Sequence, residues 1–478
     1  MDIKAIIQVI VYDYLWGTPM ILFILAAGLY FTFRSGLFQF RFFGHAIKTV
    51  VKRLFKGEEG GGDGTFSPMQ ALSTALGSTV GTGNISGVAT AIVVGGPGAV
   101  FWMWLIALLG GASAFVESTL AQIYKKKGIE GSYGGPAYYI KQALRAPALG
   151  GVFAVFLILT YMGGFNALAS FNLTDFVKAY IPSENASLII GAVVAVLSGI
   201  VIFGGGKRIS KATQIMVPIM AIAYIGVALI VMILNITSLP SVIGAIFKGA
   251  FNFSSVAGGL FGATIMNGIK RGLYSNEAGI GSAPNAAASA DVSHPVKQGL
   301  VQMLSVFIDT LLICSATAFM ILCSGIDSSA FIDEAGNTMN GAYIQASLDS
   351  NFGVFGGYFI TAALALFAFT TLVGNYFYAE MNISYLYKNA LDNKPFMVMY
   401  RLLAVLVIFL GAQFSAGLAW DTADVLMGFM ALINVPVCII LGNTAFRALK
   451  DYTQKRKAGK PLNFKASDIG VENTEYWK

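Results

Sequence analysis

A series of apolar runs, each long enough to cross a bilayer, restricts this 478-residue chain more than any other feature. A spanning helix needs about 20 mostly apolar residues. Eleven such runs are read, at 16–33, 67–94, 97–123, 149–178, 186–203, 213–234, 253–286, 296–324, 354–386, 397–414 and 422–446. Hydrocarbon offers backbone amides no water, so spans of this length must be helical. A β-barrel would show ten-residue alternation, and these runs do not alternate. With 56% hydrophobic and 12% charged residues, a soluble globule is excluded as well. The expected class is an all-α polytopic membrane protein with 11 transmembrane helices.

A net charge of +7 raises nucleic acid as a partner, but the placement of the charge excludes it. With the connectors alternating and the N-terminus outside, the inward segments hold 26 of the 31 Lys and Arg residues. The outward ones hold only Lys4, Lys178 and Lys248, and loop 325–353 is purely acidic, with Asp327, Asp333, Glu334 and Asp349. Such a bias sets orientation in the membrane. The predicted topology is N-out and C-in, in the cell membrane, with lipid as the surrounding partner. The first run lacks a basic flank and a small-residue cleavage site, so it is read as a true span.

Cys314, Cys323 and Cys438 fall in apolar runs and are expected to be buried free thiols. His45 and His294 fall in inward connectors and read as solvated loop residues, which leaves no histidine for a metal or proton site at mid-membrane. The segment "RFFGHAIKTVVKRLFK" has apolar residues at helical spacing and reads as an amphipathic helix on the inner face. A flexible "GEEGGGDGT" follows it. Residues 1–66 thus form an N-terminal span plus this amphipathic segment. Residues 447–478 form a cytoplasmic tail, expected to pack poorly beyond about residue 460.

Ten spans remain, as two blocks of five, 67–234 and 253–446. An odd number of spans per block forces the second block to lie inverted relative to the first, and each block opens on a helix that breaks its own rules. The first carries "GSTVGTGNISG" (77–87) and the second "NGIKRGLYSNEAGIGSAP". Glycine costs about 1 kcal/mol against alanine inside a helix. Irregular backbone at membrane depth survives only where it lines a polar cavity or is buried in protein. Breaks are therefore expected at Gly81-Thr82-Gly83-Asn84 and, in the second block, at Ser275 and Asn276 after Tyr274. An unwound helix bares amides at one half-helix end and carbonyls at the other, which suit a carboxylate and a cation. Gly87, Gly95 and Gly96 read instead as packing glycines.

Four stretches resemble the sodium:alanine/glycine symporter family. They are "WGTPMILFILAAGLYFTFRSGLFQFRFFGHA" (16–46), "GTGNISGVATAIVVGGPGAVFWMW" (81–104), "RGLYSNEAGIGSAP" (271–284) and "HPVKQGLVQMLSVFIDTLL" (294–312). The resemblance runs nearly end to end. It implies the leucine-transporter-type five-plus-five inverted repeat with one extra N-terminal helix. It also implies Na⁺ as coupling ion, held by carbonyls of Gly77, Val80 and Phe367 and by hydroxyls of Thr370 and Thr371. Five neutral oxygens favour Na⁺ over a proton, which wants a titratable group at the same place. The substrate carboxylate would meet amides around Thr82, Gly83 and Asn84, while Tyr274, Ser275 and Asn276 face the rest of the molecule.

Two departures from the family pattern bear on the pocket. Ser170-Phe171-Asn172-Leu173 stands where Gln-Ala-Asn-Ser is expected, which puts Ser170 among the substrate-binding candidates. Gly374-Asn375 stands where Gly-Trp is expected, so Asn375 would widen the pocket and add an amide. The substrate is then a small neutral amino acid, glutamine and/or alanine or glycine, with glutamine the leading choice. A proton-coupled symporter of the same fold is the alternative. An ion channel would need a ring of filter segments or a continuous polar file, and a hydrolase a nucleophile beside a base. Among the intramembrane charges, Glu117, Glu277, Asp309, Glu380, Lys270 and Arg271, a pairing of Arg271 with Glu277 across the second break is expected. If Lys270 reached the cation site, its ammonium could replace sodium.

Overall fold

A computed structural model describes residues 15–56, 68–128, 131–251, 260–334, 336–472 and 474–477. The helices, in order, are α1 (Thr18–Arg34), α2 (Phe43–Lys56), α3 (Pro68–Thr79), α4 (Gly83–Gly95), α5 (Ala99–Ile123), α6 (Pro136–Ala143), α7 (Pro147–Tyr180), α8 (Ala186–Ile202) and α9 (Gly205–Leu234). Then come α10 (Leu239–Ala250), α11 (Leu260–Asn276), α12 (Ala283–Ser289), α13 (Pro295–Leu322), α14 (Asn340–Phe352), α15 (Val354–Leu386), α16 (Lys394–Gly411) and α17 (Ala416–Lys457). A two-stranded hairpin, β1 (Lys126–Gly128) and β2 (Gly131–Tyr133), follows α5.

Seven of the described helices are long and apolar enough to cross a membrane: α5, α7, α9, α13, α15, α16 and α17. The run 67–94 is divided into α3 and α4, and 253–286 into α11 and α12, so no half reaches spanning length by itself. α1 and α8 are apolar helices of 17 residues each. The connectors after α9 and after α13 hold helices of their own, α10 and α14, where the sequence was read only as loop. Segment 57–65, expected to be flexible, lies outside the described residues.

Burial sorts the helices into an inner and an outer set. Of the most apolar window in each helix, 72% is buried in α13 and 67% in α5, against 28% in both α9 and α16. α9 turns Ile215, Ile219, Ile222 and Ile233 outward, and α16 turns out Leu402, Leu406 and Leu410. Exposed aliphatic stripes on spanning helices are surfaces for lipid. An apolar groove between α7, α8, α9 and α15, lined by residues such as Val177, Ile190, Val193 and Phe369, belongs to this outer shell. It offers no charged side chain to hold a zwitterion.

Around residue 460 the sequence reading fails. Residues 464–472 and 474–477 pack against α5 and the loop after α12: Phe464, Ala466, Ile469, Val471 and Trp477 are all buried. Trp477 donates its indole N–H to the Gln122 carbonyl at 2.6 Å, and the Phe464 amide donates to the Ser293 carbonyl at 3.0 Å. Lys125 lies over the Tyr476 ring at 3.9 Å and donates to the Ala290 carbonyl at 2.8 Å. Sparse aromatic residues in a charged segment gave no periodic signal, and only their docking onto α5 and the loop after α12 orders them. Trp477→Ala should therefore lower stability by about 3 kcal/mol, the usual cost of truncating a large buried aromatic. An unchanged thermal midpoint in detergent would show that the tail contributes nothing.

Neither histidine is the solvated loop residue the sequence suggested: one is buried and the other half-buried on a helix. His294 is fully buried, stacks edge-on to Phe464, and bonds Asp451 at 3.1 Å through Nε2. Burial pushes its pKa down to about 4, so the ring is neutral near pH 7. His45 bonds the Tyr452 hydroxyl at 2.8 Å as α2 packs back on α17.

Candidate functional site

The first break falls at Val80 and Gly81, between α3 and the π-helical turn Gly83–Gly87 that opens α4. Its conformation is held by one side chain. Asn84 accepts a hydrogen bond from the Gly81 amide at 2.7 Å and donates through Nδ2 to the Asp309 carboxylate at 2.7 Å. Thr317 of α13 donates to the Asn84 carbonyl at 2.6 Å. Gly83 is small by necessity, since a Cβ there would lie 3.0 Å from the Ser275 Cα.

The second break runs from Glu277 to Ser282, one residue later than the sequence suggests. Tyr274, Ser275 and Asn276 form the last turn of α11 instead. Glu277, Gly279 and Gly281 have φ of +58°, +84° and +91°. Glycine adopts that region freely; a glutamate does so only when its surroundings compel it. Side chains satisfy the freed backbone: the Gly279 amide donates to Glu117 at 3.0 Å, and its carbonyl accepts from Asn434 at 2.9 Å. Asn434 also donates to Glu117 at 2.8 Å. Two more π-helical segments flank the breaks, Leu159–Phe165 in α7 and Phe307–Cys314 in α13, and the second carries Asp309. π-bulges cluster at functional sites because they re-aim side chains.

Most of the residues nominated for substrate converge. Thr82 and Tyr274 share a hydroxyl–hydroxyl contact of 3.2 Å. Ser275 donates to Asp309 at 2.8 Å, so Asp309 ties Asn84 of the first break to the last turn before the second. Asn276 donates to Thr310 at 3.0 Å and caps the Ala278 amide through Oδ1 at 3.0 Å. Asn375 accepts from Ser78 at 2.8 Å and donates to Asn166 at 3.1 Å. Ser170 stays apart: its hydroxyl donates to the Ile408 carbonyl of α16 at 2.7 Å. Asn166, one turn earlier in α7, reaches Asn375 in its stead.

The residues nominated for the cation divide. Thr371 donates to the Ser78 carbonyl at 3.2 Å, beside the first break. Thr370 donates back to its own helix, to the Phe367 carbonyl at 3.0 Å and the Leu366 carbonyl at 3.2 Å. Val80 and Phe367 are fully buried, while Gly77 abuts Thr213 of α9. Every candidate donor is a neutral oxygen, a chemistry that fits a hard monovalent cation.

Arg271 does not meet Glu277. Lys270 and Arg271 both pair with Asp424 of α17, each at 2.6 Å to the same oxygen, and all three side chains are no more than 4% exposed. α11 ends at Asn276, and Glu277, in the left-handed region just beyond it, turns to Ser78 and Ser282 instead. Asp424 waits on the opposite helix, and Trp420 lies over the Arg271 guanidinium at 4.3 Å. Asp424, Asn434, Ser78 and Asn166 are the site residues that sequence reasoning missed. Polar residues inside apolar runs were the available signal for all of them.

A bundle of spanning helices, two of them interrupted where buried polar side chains cross-link the broken ends, defines a polytopic membrane protein of the transporter class. The sodium:alanine symporter family matches residues 1–466, and the chain belongs to that family. It is 43% identical over 470 residues to the probable sodium/glutamine symporter GlnT of Bacillus subtilis, covering 97% of this chain and 94% of that one. It is 43% identical over 468 residues to the amino-acid carrier protein AlsT of the same organism, covering 98% and 96%. It is 44% identical over 482 residues to the putative sodium/proton-dependent alanine carrier protein YrbD, also of Bacillus subtilis, covering 97% and 96%. A substrate-bound, outward-open Na⁺-coupled sialic acid symporter is similar at a TM-score of 0.45 and 14% identity, over 93% of this chain and 85% of that one; this is too remote to support an argument. The relatives are transporters, and the chain is not an enzyme.

Proposed function

We propose that this chain is a secondary transporter in which Na⁺ flowing inward drives uptake of a small neutral amino acid by alternating access. The observation that carries the reading is the pair of interrupted spans, cross-bonded through Thr82–Tyr274, Asn84–Asp309–Ser275 and Ser78–Glu277. Irregular main chain at membrane depth is tolerated only where it is buried in protein or lines a polar cavity, and paired breaks of this kind are where secondary transporters hold their solutes. The two blocks of five spans form an inverted repeat, with the N-terminus outside and the tail inside. Na⁺ sits among Gly77, Val80, Phe367, Thr370 and Thr371, and the substrate among Thr82, Gly83, Asn84, Tyr274, Ser275, Asn276 and Asn375. Glutamine and alanine, the solutes in the names of the relatives, are the first two to test. A second reading, proton coupling, draws on the sodium/proton-dependent name of one relative.

Proteoliposomes decide between the two. Uptake of labelled glutamine or alanine should require an inward Na⁺ gradient, and a pH gradient in Na⁺-free buffer driving uptake equally well would refute sodium coupling. Thr371→Ala, which removes the hydroxyl nearest the first break, should raise the Na⁺ concentration for half-maximal uptake by about tenfold, the equivalent of one lost ligand at about 1.4 kcal/mol. An unchanged value would move the cation elsewhere.

A further inference from the structure

Three carboxylates, Glu117, Glu277 and Asp309, are buried around the two breaks, and the hydrogen bonds that reach each of them come from neutral groups. What separates them is whether those donors can turn round. Glu117 takes the Gly279 amide on one oxygen and Asn434 Nδ2 on the other, and Asn434 is locked because Nδ2 also donates to the Gly279 carbonyl, which can only accept. Asp309 takes Asn84 Nδ2 on Oδ1, locked because Asn84 Oδ1 accepts from the Gly81 amide, while its Oδ2 takes the Ser275 and Thr310 hydroxyls. Both oxygens of Glu117 thus face donors that cannot reverse, and one oxygen of Asp309 does.

Glu277 is different. Its partners are hydroxyls, which donate or accept equally well: Ser282 at 2.6 Å and Ser78 at 3.1 Å. Ser78 has one hydrogen and two acceptors, Glu277 Oε1 and Asn375 Oδ1. With Glu277 ionised and the amides as they stand, one of those acceptors loses its donor. A proton on Glu277 resolves the conflict: Glu277 donates to Ser78, Ser78 to Asn375, and Asn375 Nδ2 to Asn166. The same heavy atoms also serve an ionised Glu277 if both amides flip, since amide orientation is set by the network. Asn166 Nδ2, which has no partner, then donates to Asn375. A buried polar group left unpartnered in this way costs about 1–3 kcal/mol. The Tyr161 hydroxyl faces the carboxylate, and the Tyr378 ring packs edge-on at 5.2 Å; both hydroxyls are fully buried, and neither has a partner in bonding geometry.

We propose that Glu277 is an exchangeable proton site, and that its proton sets the direction of the Ser78–Asn375–Asn166 chain. The inference rests on the transporter reading above and adds a second coupled ion to it. The proton arrives from water on one side and returns to water on the other. While it is bound, Asn375 turns its carbonyl toward the first break; after it leaves, Asn375 turns its amide there. Substrate contacts at Asn375 thereby depend on the proton. The other titratable groups facing Glu277 are Tyr274 of α11, Glu117 of α5, Tyr161 of α7, Asp309 of α13 and Tyr378 of α15. None of these is a cation, and Lys270 and Arg271 are held by Asp424.

Two measurements on the full-length protein test this. In infrared spectra of the purified transporter, a carboxylic-acid C=O band should be present at low pH, shift in D₂O, vanish at high pH, and be missing from Glu277→Gln. Identical spectra for the two proteins overturn the proposal, whatever transport does. In proteoliposomes with a pH-sensitive dye inside, protons moved per alanine or glutamine should fall from about one to zero in Glu277→Gln. A ratio unchanged by the substitution overturns the proposal. Should the parent protein show no uptake under either a Na⁺ or a pH gradient, the transporter reading fails, while the infrared result still decides Glu277. If Glu277→Gln does not fold, Ser78→Ala should displace the same C=O band, and a band that does not move counts against the site.

Discussion

Gly81→Ala should abolish uptake, whereas Gly87→Ala, six residues on in the same glycine-rich stretch, should leave it nearly intact. A Cβ at position 81 would lie 1.8 Å from the Thr371 hydroxyl oxygen and 3.1 Å from Thr371 Cβ. The hydroxyl must swing away from the Ser78 carbonyl that it now bonds, and the unwound strand must withdraw from α15. Overpacking of this kind costs about 1–3 kcal/mol. Spent on the competent geometry of the break, 3 kcal/mol is a loss of about 100-fold in rate. At position 87 the nearest atoms are Tyr274 ring carbons at 3.6 and 4.0 Å, ordinary contact distances. Initial uptake rates in vesicles, normalised to folded protein, provide the comparison. Equal rates for the two variants would mean that these glycines only space helices.

The second large effect is one of stability. Asp424→Ala removes the carboxylate that Lys270 and Arg271 both bond. Breaking a buried ion pair from one side costs about 3–5 kcal/mol, because the remaining charge stays in low dielectric. That is a large share of the 5–15 kcal/mol by which a typical domain is stable. A steep fall in the thermal midpoint in detergent, or failure to accumulate, is the expected result. Replacing all three residues together, with Lys270→Met, Arg271→Leu and Asp424→Leu, should recover most of the loss. A midpoint unmoved by Asp424→Ala, or a triple variant no better than the single one, would show that the triad carries no structural weight.

The lengths of the apolar runs and the limits of lipid as a solvent were enough to establish from sequence a helical membrane protein interrupted near residues 80 and 280. That part was legible because glycine-rich, hydroxyl-rich sequence inside a span has few structural explanations. The partners of the buried charges were not legible. Arg271 and Glu277 looked close in the chain, but the helix ends between them and Glu277 turns to Ser78 and Ser282, and Asp424, about 150 positions away, arrived on α17 to take both cations. Ser170 was nominated by position, yet its helix aims it at α16, and Asn166 reaches Asn375. The docked residues 464–472 and 474–477 carried no periodicity to announce a fold. Residue spacing determined where the backbone must break, because propensity and desolvation act locally. Which side chains answer the bared amides and charges depended on the packing of distant helices, because a hydrogen bond or ion pair is set by distance in space, and only the tertiary structure brings its two ends together.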